Sequence, residues 1–110
     1  FRTLYQAMTA LLEPQPQPVA DSVLMTRLAR RDSTALVELE RRHRSSLYAQ
    51  AYSILMDAGA AERVVRDTFS QLWFDAPEYT IMPRAWDLLR DMARELARAE
   101  QALRAHARWR

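Results

Sequence analysis

The chain of 110 residues contains no cysteine, no lysine and only one glycine. Without cysteine it has neither a disulfide framework nor a thiolate metal site, which is compatible with a cytoplasmic location. The single glycine favours helices over the tight turns of a sheet. No apolar run approaches the roughly twenty residues that a membrane span needs. These absences exclude a disulfide-stapled or membrane-spanning protein and indicate one soluble helical domain.

All 16 basic residues are arginine, and they are unevenly distributed. Residues 1–83 hold nine arginines and ten acids, net −1, whereas residues 84–110 hold seven arginines and four acids, net +3. The exclusive use of arginine fits either phosphate binding or GC-rich coding. The distribution places any nucleic-acid contact towards the C-terminal end.

The first twenty residues differ in composition from the rest. Residues 2–12 have a short amphipathic pattern that predicts a helix, and residues 13–19 contain alternating prolines that enforce an extended spacer. We therefore expect an N-terminal extension and Pro-rich linker over residues 1–20, followed by a helical domain over residues 21–110.

Four helices are predicted in that domain. Asp21 is expected to cap a helix over residues 22–30, and Asp32 or Ser33 a second helix that runs to about Met56. A third helix follows the break at residues 57–59, and residues 75–82 are expected to form a loop.

The last helix is predicted from Pro83, in its first turn, to about Ala107. At 1.5 Å per residue it would be roughly 35 to 40 Å long and would project past the core. Its apolar positions are Ala85, Leu88, Leu89, Met92, Ala93, Leu96 and Leu103.

The third helix has two chemically distinct faces. A stripe with a 3.6-residue period predicts burial of one face; it comprises Ala61, Val64, Val65, Thr68, Phe69, Leu72 and Trp73. The other face carries Glu62, Arg63, Arg66, Asp67 and Gln71. That charged face is either simply solvated or a binding surface.

Residues 61–73 read Ala-Glu-Arg-Val-Val-Arg-Asp-Thr-Phe-Ser-Gln-Leu-Trp and resemble the polymerase-binding helix of bacterial sigma factors of the extracytoplasmic-function type. Further segments resemble region 2 of that family in order, over residues 21 to about 104. The resemblance implies an all-α bundle of about three to four core helices. It also implies binding to core RNA polymerase through Glu62, Arg63, Arg66, Asp67 and Gln71.

The resemblance further implies capture of the non-template strand of the promoter minus-ten element. Phosphates need cationic partners, and unstacked bases need aromatic or amphipathic surfaces. The implied DNA-binding residues are Tyr79, Thr80, Ile81 and Met82, in the loop that holds a base in the family, with Arg84, Trp86, Arg90, Arg94 and Arg98.

Each part of that set also has a plainer interpretation. Arg90, Arg94 and Arg98 each follow an acid by three residues, so they form either a phosphate track or pairs along the helix. Trp86 either stacks on a base or packs against the helix before the loop.

Three charges depart from the family pattern. Arg63 and Arg66 stand where the family has an acid and a glutamine, and Glu95 replaces a neutral amide. They favour an alternative function, a protein-interaction module that binds a partner such as an anti-sigma factor without recognising promoters.

No catalytic, cofactor or metal site is predicted. His43 and His106 lack clear metal-ligand partners, and His43 falls on the inner face of its helix. No glycine-rich phosphate loop or nucleophilic triad is present in the sequence. The chain is therefore expected not to be an enzyme. Its start at Phe1 and the missing second domain of the family suggest a fragment of a longer protein.

Overall fold

A computed structural model describes residues 18–108, all of them in helices or short connections. The predicted N-terminal helix and most of the proline-rich segment lie outside the described residues. Within residues 18–108 there are four α-helices and no strand: α1 (Asp21–Ala29), α2 (Ser33–Leu55), α3 (Ala58–Asp75) and α4 (Ala85–Arg108). A 3₁₀ turn (Ala76–Glu78) follows α3. The predicted all-α fold is confirmed, and none of the described helices is long and apolar enough to cross a membrane.

Aspartate side chains cap the N-termini of two helices. The Asp32 carboxylate accepts a hydrogen bond from the Thr34 amide at 3.0 Å and caps α2 as predicted. Asp57 accepts one from the Ala60 amide at 3.0 Å and caps α3, so the break is shorter than predicted. Each cap satisfies an amide that the helix leaves without an internal partner.

Two predicted helix starts were wrong. Asp21 is not a cap but the first residue of α1, preceded by Ala20, which makes no side-chain cap. Its carboxylate is bonded instead to side chains of α2. Pro83 precedes α4, whose first hydrogen bond joins the Leu88 amide to the Arg84 carbonyl at 3.1 Å.

The core lies where α2, α3 and α4 meet, with α1 across one end. The predicted α3 stripe is buried from Ala61 to Leu72, and Trp73 is half-buried. Leu39, Leu47 and Leu89 have no exposed surface. Leu103, the last apolar position of the predicted helix, is 66% exposed, and α4 has no buried side chain after Ala97.

Polar contacts fix the direction of α4. The Gln50 side chain donates to the Arg90 carbonyl, and the Gln101 side chain donates to the Ile54 carbonyl at 3.3 Å. Because both partners advance together, α2 and α4 run parallel, with α3 antiparallel to them. Arg104 pairs with Asp57 at 3.3 Å, so the C-terminal part of α4 is joined to the α2–α3 turn by polar groups.

Arg31 connects the α1–α2 turn to the end of α3. Its φ of 66° is left-handed, a conformation that costs a residue with a Cβ about 1 to 2 kcal/mol. Its guanidinium lies 4.9 Å from the centre of the Trp73 ring and donates to the Trp73 carbonyl. The side chain thus satisfies a carbonyl at the α3 C-terminus and offsets the backbone cost.

Replacing Arg31 by alanine should destabilise the protein more than replacing it by glycine. Both changes remove the contact with Trp73, but only alanine retains the left-handed penalty, so the two variants should differ by about 1 kcal/mol. Urea unfolding of both variants measures the difference. Equal stabilities, or a less stable glycine variant, would contradict a backbone cost at this position.

Candidate functional site

The outer face of α3 is the first candidate surface. Glu62, Arg63, Arg66, Asp67 and Gln71 are all exposed, as the buried stripe on the opposite side requires. Phe74 lies on this helix too and is 70% exposed. The sequence prediction ended α3 at Trp73 and missed this residue, although its eleven-residue spacing from Arg63 places it on the same face.

Arg63 and Arg66, the two arginines of α3 that differ from the family pattern, each have a carboxylate neighbour. Arg63 Nη2 lies 3.8 Å from Glu100 Oε1 of α4, and Arg66 Nε lies 3.7 Å from Asp67 Oδ1. The first distance spans two helices, so Arg63 contributes to holding α4 as well as to the charge of the α3 surface. Exposed pairs at such distances are worth little, roughly 0.2 to 1 kcal/mol.

A shallow groove of about 250 Å³ separates this face from α2. It is lined by charged groups of both signs, among them Glu40, Arg44, Glu62 and Arg66, with Phe69 at its base. A partner helix in this groove would therefore meet mixed charges beside a small apolar floor.

The loop between the 3₁₀ turn and α4 divides into packed and exposed residues. Tyr79 and Met82 pack against the core, and burial together with the nearby Asp75 charge raises the pKa of the Tyr79 hydroxyl. Thr80 is exposed, and Ile81 is 86% exposed. Only the middle of the predicted base-holding loop is thus open to a ligand in this conformation.

The arginines of α4 differ in their partners. Arg90 lies 3.8 Å from Asp87 and 3.5 Å from Asp91. Arg94 and Arg98 are exposed and form no ion pair within residues 18–108, and Glu95 is exposed beside Arg94. The interpretation as pairs along the helix thus holds for Arg90, whereas Arg94 and Arg98 remain available to an anion.

A side-chain cluster joins three helices near the start of α4. Asp21 Oδ2 lies 2.7 Å from His43 Nε2, and Asp21 Oδ1 accepts from Arg42 Nη1 at 2.9 Å. Partial burial alone would raise the pKa of the Asp21 carboxyl, but these two hydrogen bonds outweigh it and lower the pKa. The His43 ring stacks on Trp86, with 5.8 Å between centroids and 26° between planes. Trp86 therefore packs on α2, and it also lies against the hydrophobic core to which α3 contributes.

Arg42 extends this cluster along α2. Its Nε donates to Glu38 at 3.0 Å, and Arg41 donates to the same carboxylate at 2.7 Å. The hydrogen bonds from Arg41 and Arg42 lower the pKa of Glu38 to about 2. The carboxylates around Arg42 are thus ionised at neutral pH.

A pocket of about 440 Å³ opens beside the cluster. It lies between the starts of α1 and α4, and its lining includes Asp21, Met82, Arg84, Trp86 and Asp87. Arg84 is exposed there and has no ion pair in the part of the chain that the structure describes. The described residues bring together no group of three or more histidine or carboxylate side chains that could bind a metal ion.

The chain is similar to three mycobacterial proteins. It is 33% identical over 103 residues to the ECF RNA polymerase sigma factors SigK of Mycobacterium sp. strains KMS and JLS. The same identity and length relate it to the RNA polymerase sigma factor SigK of strain MCS. Each match covers 86% of this chain and 53% of the relative, so the chain spans about half the length of the curated relatives it matches. No protein-family model and no solved structure matches it.

Proposed function

Since this chain is a domain of the extracytoplasmic-function sigma factor type, we propose that it binds core RNA polymerase and recognises the promoter minus-ten element in transcription initiation. It would act in the cytoplasm, as a non-enzymatic binding protein. The observation that carries the proposal is the presence of two separate exposed charged surfaces on one helical frame, the outer faces of α3 and α4.

The α3 surface supports the polymerase contact. Its exposed polar residues include Arg63, Asp67 and Gln71, and Phe74 adds an exposed aromatic side chain at its end. An interface needs an apolar anchor with polar groups around it, and this face offers both. Core RNA polymerase is therefore the first partner to test.

The loop and α4 support the strand contact. Ile81 exposes an apolar side chain for an unstacked base, while Arg94 and Arg98 offer cations for phosphates. Trp86 lies between these two groups along the chain, at the edge of the 440 Å³ pocket. The proposed ligand is the non-template single strand of promoter DNA.

A second candidate function is favoured by Arg63 and Glu95. Arg63 lies near Glu100 of α4, and Glu95 places an exposed carboxylate beside Arg94, where it would repel a phosphate. Under this alternative the domain binds a protein, for example an anti-sigma factor, and does not recognise promoters.

Capture of purified core polymerase by the immobilised chain is the direct test. We expect Gln71→Arg to reduce capture roughly fivefold or more, because it places a new charge within the proposed interface. Ser46→Arg adds the same charge at an exposed position of α2, roughly 200° around that helix from Arg44 of the groove, and should have little effect. Arg66→Gln, which restores the family residue, should maintain or increase capture.

Arg63→Asp needs a stability measurement beside the capture assay. An aspartate at residue 63 would face Glu100 across the helices, so the variant could lose capture because its fold is weakened. All three proteins, the natural chain and the Arg66→Gln and Arg63→Asp variants, must first be shown to be folded. If none of them then captures polymerase, the polymerase contact is refuted.

A further inference from the structure

Trp86 packs against a side chain that is far from it in sequence. The His43 ring lies against the indole, and His43 Nε2 is 2.7 Å from one oxygen of Asp21. The other oxygen of that carboxylate accepts from Arg42. With a different partner on each oxygen, the carboxylate cannot rotate without losing one of these hydrogen bonds.

These contacts restrain Trp86, a side chain that the core does not enclose. Trp86 is only partly buried and lies in the first turn of α4, at the edge of the 440 Å³ pocket. A tryptophan at such a site can occupy several rotamers, and ordering it on binding would cost entropy. Packing against the core and the stack with His43 both restrict that freedom before any ligand arrives.

We propose that His43, held by Asp21, is a positioning residue that fixes the indole of Trp86 for stacking on a base of the opened promoter strand. The proposal rests on the function proposed above and adds a positioning role for residues 21 and 43. Neither residue has to touch DNA, since both act through the orientation of Trp86.

The test uses the whole chain with Trp86 as its only tryptophan, made by Trp73→Phe and Trp109→Phe. Two quantities are measured, the acrylamide quenching of Trp86 fluorescence and the affinity for a dye-labelled single-stranded minus-ten oligonucleotide. His43→Ala should increase the quenching and weaken binding roughly fivefold or more, the range for loss of one base–aromatic stack. His43→Phe, which keeps a flat ring against the indole, should restore both quantities towards those of the His43 protein.

Two further variants control the comparison. His106→Ala removes the other histidine, which is exposed near the end of α4, and should change neither quantity. Asp21→Asn keeps a side chain of the same size but removes the charge that orients His43, so its effect should have the direction of His43→Ala. Circular dichroism establishes that each variant is folded.

Unchanged quenching in a folded His43→Ala variant would overturn the positioning role, and so would increased quenching without loss of affinity. Weaker binding without a change in quenching would overturn it as well, since His43 would then act by another route. If the parent protein does not bind the strand, the promoter-binding function fails, and the quenching comparison alone decides whether His43 positions Trp86.

Discussion

Leu89→Ala should lower the free energy of unfolding by about 2 to 5 kcal/mol, the range for truncating a fully buried leucine. Leu89 has no exposed surface and lies on α4 where that helix packs into the core. Small domains have total stabilities of about 5 to 15 kcal/mol, so this single change would remove a large share. Urea denaturation followed by circular dichroism gives the value.

Leu103→Ala is the matched control for Leu89→Ala, because it makes the same change on the same helix at a residue that is 66% exposed. Its effect should stay within about 0.5 kcal/mol, as for most surface substitutions. A large effect at Leu103, or a small one at Leu89, would show that α4 is packed differently from the structure described above.

The double substitution of Arg94 and Arg98 by alanine should strongly reduce the salt dependence of strand binding. Each phosphate contact to a single strand contributes about 0.7 to the slope of log affinity against log salt, so two lost contacts lower the slope by about 1.4. Between 50 and 200 mM salt the natural chain should then lose about sevenfold more affinity than the variant. Titrations of a minus-ten oligonucleotide at several salt concentrations provide the slopes.

Arg90→Ala serves as the control on the same helix. Arg90 already lies near Asp87 and Asp91, so its removal should change the slope less than removal of Arg94 alone. Glu95→Asn, which removes a carboxylate beside Arg94, should strengthen binding. An unchanged slope in the double variant would exclude these two arginines as phosphate ligands and favour the protein-interaction function.

Periodic patterns predicted the core of this protein well, because burial follows the period wherever a neighbouring helix is present. The α3 stripe from Ala61 to Leu72 is buried as its spacing required. The apolar period continues to Leu103, but that residue is exposed, because periodicity does not reveal where the neighbouring helices stop. The turn between α2 and α3 lies beside Arg104, and two-thirds of the Leu103 surface is exposed.

Contacts between distant residues were harder to predict than helices. Aspartate is a common N-cap residue, but the Asp21 carboxylate contacts the side chains of Arg42 and His43, more than twenty residues later. A single sequence contains no local signal for such a pair. The role of Asp57 as a cap was missed for another reason, since the glycine two residues later indicated a helix breaker although it lies within the first turn of α3.

Charge pairs along α4 show the limit of spacing rules on a surface. Three acids of α4 precede arginines of the same helix by three residues, and of these three acids only Asp87 lies within ion-pair distance of the later arginine. Long side chains in water gain little from pairing, so spacing permits such pairs without requiring them. The availability of Arg94 and Arg98 therefore emerged from the structure and not from the pattern.

Salt is expected to act on the C-terminal part of α4 in two separate ways. After Ala97 the helix is held to the rest of the protein by Gln101, by Arg104 and by the pair between Glu100 and Arg63, with no buried apolar side chain. Added ions weaken such pairs and so promote fraying of the last turns, at a free energy below that of global unfolding. Because Arg98 lies where this segment begins, salt would weaken the phosphate contact proposed for Arg98 and also loosen the helix that presents this side chain.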